Sequence, residues 1–199
     1  MKILRILAIA LIGALAIPSP YVGASSSVQD PGSAPAIVFL IRHAEKPAPE
    51  EKSSHLSPEG ERRAQWLPSL FVSHGSQAAR FTPPDVLFAT AESKHSNREV
   101  ETLMPMSVVL GLPILHDYAD DDFEAAAKDM LSGKYAGKVV LVCWHHGRMP
   151  ALARALGAVD APAKIDDNVF DPLWRIEWKK GKATFSLTQQ GFLPTGAMQ

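Results

Sequence analysis

The chain has 199 residues, with 20 Lys plus Arg against 21 Asp plus Glu, so its formal net charge is −1 and no basic excess points to a nucleic-acid partner. The length is enough for one domain with its own core, and no repeat or internal linker divides it. A single cysteine, Cys143, excludes an internal disulfide; it lies in an apolar run and reads as a core residue.

The N-terminal segment reads as a targeting signal. Lys2 and Arg5, the apolar stretch Ile6 to Ile17, and then Val22, Gly23 and Ala24 have the layout of a secretory signal peptide. Its apolar core of about 12 residues is too short to cross a bilayer as a helix. Cleavage is expected after Ala24, the alternative being an uncleaved anchor. The expected organisation is therefore a signal peptide over 1–24, a flexible Ser-, Pro- and Gly-containing lead-in over 25–35, and one domain over 36–199. Such a protein is secreted or periplasmic, without stable membrane association once the signal is removed. Losing Lys2 and Arg5 leaves 18 Lys plus Arg against 21 Asp plus Glu, a net charge of −3.

In chain order, the β-branched and aromatic run Ala36 to Ile41 predicts a buried strand, followed directly by RHAEK at 42–46. After the polar loop from Pro47 to His55, Ser57 is a good N-cap and Pro58 suits a first helical position. A helix is expected over 58–72, despite Gly60 and Pro68, with Arg62 and Arg63 on its surface. Residues 85–90 (DVLFAT) predict a second strand. Residues 96–110 predict a helix in which Pro105 is an awkward interior position. A short extended piece, 113–115, and a helix over 121–131, opened by acids and rich in Ala, come next. The continuous apolar run 139–144 (VVLVCW) predicts a strand buried on both faces, and a helix should follow from about Gly147 or Arg148 to Leu156. Residues 173–178 and 183–187, around KKGK, predict an antiparallel hairpin. Strands alternating with helices imply an α/β three-layer sandwich, its central sheet mostly parallel and flanked by helices, with the C-terminal hairpin making the sheet mixed.

Three of these strands lead into polar residues that suit one anionic ligand. The first gives Arg42 and His43. The second leads to the helix carrying Arg98, and the third gives His145, His146 and Gly147. In a parallel sheet these ends share one edge, where ligands bind. Two guanidinium forks beside an imidazole are what phosphoryl transfer needs, because its transition state spreads negative charge over equatorial oxygens. Gly147, opening a helix, would let backbone amides approach the same anion. Side chains alternate along a strand, so one histidine of the His145–His146 pair is expected to face the phosphate, and the pair is a poor chelate.

The motifs RHAEK at 42–46, LSPEGERRA at 56–64, SNREVET at 96–102 and VLVCWHHGRMPAL at 140–152 together resemble the histidine phosphatase superfamily, which shares its fold with cofactor-dependent phosphoglycerate mutases. The resemblance spans most of the mature chain. It implies that His43 is the nucleophile that becomes phosphohistidine and that Arg42 and Arg98 bind the phosphoryl group. It also implies that a second histidine, His146 or alternatively His145, hydrogen-bonds that group. It implies a phosphatase for small phosphorylated substrates, with no cofactor and no metal, and the N-terminal signal makes it an exported one; the alternatives are a non-catalytic phospho-ligand-binding module and a phosphomutase. The leaving-group acid departs from the family pattern, and the candidates are Glu92 and the acidic segment Asp117 to Asp122. His55, His74 and His95 read as solvated loop residues, His116 beside Asp117 as a turn, and Glu45 either as a catalytic group or as a carboxylate ordering Arg42 or Lys46.

Overall fold

The computed structural model describes residues 32–193; the expected signal peptide and most of the lead-in lie outside the described residues. Six strands form one sheet: β1 (Ile37–Arg42), β2 (Val86–Thr90), β3 (Ile114–Tyr118), β4 (Val139–Trp144), β5 (Pro172–Lys179) and β6 (Lys182–Gln189). Their order is β3-β2-β4-β1-β5-β6. The first four neighbours pair in parallel, and β5 and β6 add an antiparallel edge. The expected α/β sandwich with a terminal hairpin is the fold observed.

Four α-helices cover the sheet: α1 (Pro58–Trp66), α2 (Arg98–Leu110), α3 (Phe123–Met130) and α4 (Met149–Ala155). β1 and β4 are buried along their whole length because both faces are packed. On one face Val38, Leu40, Val140 and Val142 meet Ala126, Met130, Met149 and Leu152 of α3 and α4. On the other, Phe39, Ile41, Leu141 and Cys143 meet Leu103 and Met106 of α2 and Leu67, Leu70 and Phe71 after α1. Cys143 is fully buried, as its apolar run predicts. Among the described residues no helix is long and apolar enough to cross a membrane.

The local differences from the sequence reading have physical causes. α1 ends at Trp66, and residues Leu67–Leu70 continue as a 3-10 turn, because Pro68 has no N–H to donate to the next α-helical bond. Pro105, by contrast, sits inside an unbroken α2. The short extended piece is longer than expected: β3 runs on to Tyr118, so His116 and Asp117 belong to an edge strand rather than a turn. Their polar side chains are exposed there, which is how an edge strand can read as a loop.

Arg63 is the largest correction. It is 5 % exposed and donates from Nε and Nη2 to the Glu45 carboxylate, with the closest contact at 2.7 Å, and from Nη1 to Asp171 at 3.1 Å. Glu45 therefore orders Arg63, not Arg42 or Lys46. The pair ties the loop after β1 to α1, and the close approach of Gly60 fixes it further, since a Cβ there would lie 2.3 Å from the Glu45 carbonyl oxygen. Helical periodicity shows Arg62 and Arg63 as neighbours but not which one turns inward. Arg63→Ala should lower unfolding free energy by roughly 3–5 kcal/mol, the scale for stranding one partner of a buried ion pair. Denaturant unfolding measures it, and a loss below about 1 kcal/mol, the scale of a surface pair, would contradict the buried-clamp account.

Candidate active site

Register builds the site. β1 and β4 pair from Ile37 opposite Val139 to Arg42 opposite Trp144, so the chain leaves both strands at one level, Arg42-His43 beside His145-His146. β2 pairs Ala89 with Cys143, which brings Thr90 to the same edge. Thr102 of α2 then joins Arg98's helix to the His43 loop: its hydroxyl accepts from the Ala44 N–H at 2.9 Å and donates to the Arg98 carbonyl at 2.7 Å.

His43 is 1 % exposed, and its Nδ1 lies 2.7 Å from the Ala44 carbonyl oxygen. A carbonyl only accepts, so Nδ1 carries the proton and Nε2 keeps its lone pair. Burial, and then the positive charge of Arg42 and Arg98, hold this imidazole well below the ordinary histidine range; the bond to Ala44 opposes them.

Arg42 is equally enclosed. Its Nη1 donates to the carbonyls of Asp166, Asp167 and Val169 at 3.1, 2.9 and 3.1 Å, and its guanidinium stacks 4.0 Å from the Phe170 ring centre. Burial lowers its pKa to about 10, which leaves it charged at neutral pH. Arg98 donates from Nη1 to Ser53 at 2.9 Å and from Nη2 to His95 at 3.3 Å. Among the described residues, both arginines keep a buried Nε–H with no hydrogen-bond partner, a costly state for a buried donor.

Both histidines after β4 approach His43. The ring-centre distances are 6.4 Å for His145 and 6.0 Å for His146. β4 ends at Trp144, so strict strand alternation does not govern the pair. His146 bonds Arg42 Nη2 through Nδ1 at 3.3 Å and Asp167 Oδ1 through Nε2 at 3.0 Å. Burial and the nearby Arg42 and His145 lower its pKa to about 4, against the opposing pull of Asp167. Gly147 does not open a helix, since α4 begins at Met149; its bare Cα makes room for the His145 ring.

A cavity of about 250 Å³ opens beside Arg98, lined by Glu92, His95, Glu99, Asp120 and His145 among others. Of the acids considered for leaving-group protonation, Glu92 and Asp120 reach it, whereas Asp117, Asp121 and Asp122 do not. A larger, more apolar cavity of about 570 Å³ lies between α1 and α2, near Leu56, Met104 and Val108, and none of Arg42, His43, Arg98, His145 and His146 lines it. His55 is exposed, as expected of a solvated loop residue, and pairs there with Glu101. Among the described residues no group of three or more His, Cys, Asp or Glu is arranged to hold a metal ion. Asp167, Phe170, Glu99 and Thr102 were not legible as site residues. The first two sit in an irregular segment with no periodic pattern, and the others look like ordinary helix positions.

No family model and no curated protein matches the chain. Solved structures do. The alpha-ribazole phosphatase from Shigella flexneri is 16 % identical, with a TM-score of 0.53 over 77 % of this chain and 96 % of that one. The protein histidine phosphatase SixA complexed with tungstate is 15 % identical, with a TM-score of 0.52 over 77 % and 97 %. A phosphoglycerate mutase from Bacillus anthracis is 12 % identical, with a TM-score of 0.50 over 80 % and 94 %. At these identities the likeness is one of architecture: the chain has the fold that these phosphatases and the phosphoglycerate mutase share.

Proposed function

We propose that the chain is an exported, metal-independent phosphatase that hydrolyses small phosphate esters through a phosphohistidine on His43. The observation that carries this reading is a buried imidazole whose proton is committed to Ala44, leaving a lone pair beside two guanidiniums that each hold an unpartnered N–H. A neutral imidazole needs no prior deprotonation to attack phosphorus, and the arginines offset the charge of the incoming anion. Arg42 and Arg98 are the phosphate anchors. His146 completes the anchor by holding the second terminal nitrogen of Arg42. The cavity of about 250 Å³ beside Arg98 has the size for a compact leaving group, and the activities of the structural neighbours, which include phosphatases, agree with the reaction class. Export rests on the N-terminal sequence, and an exported enzyme has no access to a cytoplasmic sugar-phosphate pool, which speaks against a mutase.

Protein recovered from outside the cytoplasm should begin at Ser25 by intact mass and should hydrolyse a generic aryl phosphate, a substrate whose good leaving group asks little of an acid. Turnover should be insensitive to chelator and absent from His43→Ala. Tight phosphate binding without turnover in the folded wild-type protein would favour a binding module. A mature chain that retains residues 1–24 in the membrane would refute export.

The lowered pKa of His146 gives a second outcome. Its ordinary value is 6.5 and its folded value about 4, so as pH falls through this window the unfolded chain takes up the proton first. Stability should therefore decline from about pH 6.5 to about pH 4, and His146→Gln should flatten the decline. NMR titration of the His146 ring with a midpoint near 6.5 would contradict the buried, doubly bonded imidazole.

A further inference from the structure

The two histidines after β4 have different resources. His146 has both ring nitrogens engaged. Arg42 Nη2 can only donate, so His146 Nδ1 accepts, and the ring's single proton goes from Nε2 to Asp167. That ring is left with no proton to lend to a reaction. His145 is its packing neighbour, with ring centres 4.5 Å apart, but His145 lines the cavity beside Arg98. Its Nδ1 is buried and makes no hydrogen bond; the Asp120 carboxylate stands 3.7 Å from it.

Neighbouring groups hold both members of this pair in place. Trp144, the last residue of β4, donates its indole N–H to the Asp120 carbonyl at 3.1 Å. A Cβ on residue 147 would lie 3.2 Å from His145 Cε1 and 3.3 Å from its Nδ1, so the glycine gives the ring its place. Glu92 shares the cavity but is exposed and, among the described residues, makes no side-chain hydrogen bond or ion pair.

We propose that His145 is the catalytic acid that protonates the leaving oxygen, and that Asp120 is the positioning residue that orients it; this rests on the phosphohistidine reaction assigned above. The His43 Nε2 lone pair forms the N–P bond while the ester P–O bond breaks. The released electron pair stays on the leaving oxygen, which takes a proton from the His145 imidazolium, and the alcohol departs. Neutral His145 then removes a proton from the water that attacks phosphorus. The N–P bond breaks, its pair returns to His43 Nε2, and inorganic phosphate leaves with His145 protonated again. His145 stands next to the nucleophile, its ring centre 6.4 Å from that of His43.

A series of aryl and alkyl phosphates with leaving groups of increasing basicity tests this directly. Wild-type kcat/KM should depend weakly on leaving-group pKa. His145→Gln should steepen the dependence, losing roughly 10²–10⁴-fold on alkyl phosphates and only a few-fold on nitrophenyl phosphate, the pattern of a lost general acid. Asp120→Asn should steepen it in the same direction by a smaller factor, and it provides the readout if His145→Gln folds poorly. An equal loss across the series in both variants, or steepening by Glu92→Gln in place of His145→Gln, would overturn the assignment while leaving the phosphohistidine reaction intact. A wild-type protein that turns over none of the series would remove that reaction and this assignment together.

Discussion

The parallel, in-register pairing of β1 with β4 is the constraint on which the site depends. Arg42 and Trp144 are backbone partners, and the chain turns out of the sheet directly after both. That one register brings His43 beside His145 and His146, residues about a hundred positions apart in sequence. A slip of one residue would reverse every side chain of β1, moving Phe39 and Ile41 to the α3–α4 face and turning Arg42 away from its partners. Catalytic geometry and core packing are thus set by the same hydrogen-bonded ladder, and the apolar sequences IVFLI and VVLVC specify both.

Around that edge, the remaining parts act by restricting what each polar group can do. The Ala44 carbonyl accepts the hydrogen bond of His43 Nδ1–H, Thr102 ties the His43 loop to the helix of Arg98, and the 166–170 segment wraps the Arg42 guanidinium in three carbonyls and an aromatic face. Buried charges survive only when they are satisfied in this way. The Arg63–Glu45–Asp171 cluster does the same behind the site, holding the loop that follows His43 against α1 and the end of the sheet. Preorganisation of this kind lets an anion bind without first reordering the arginines that receive it.

Much of this was legible in the sequence because it depends on local pattern. The strands 139–144 and 36–41, the capped start of α1 at Ser57, whose hydroxyl accepts from Gly60, and the terminal hairpin follow from periodicity, capping and turn chemistry. The positions of Arg42, His43 and Arg98 at one sheet edge follow from topology. What was not legible is long-range. Nothing near Asp166 to Phe170 shows that this irregular stretch folds over a residue more than 120 positions earlier, and nothing in LSPEGERRA distinguishes inward Arg63 from outward Arg62. The His145–His146 pair is open for another reason: it lies just past the last residue of β4, where strand alternation no longer fixes which side chain faces which way.

The central claim is covalency at His43, and rapid quench with a phosphorus-labelled ester tests it most directly. The account predicts a transient, alkali-stable and acid-labile phosphate on the peptide that contains His43, formed and lost at rates consistent with turnover and missing from His43→Ala. Label that persists in His43→Ala, or full turnover in that variant, would contradict it.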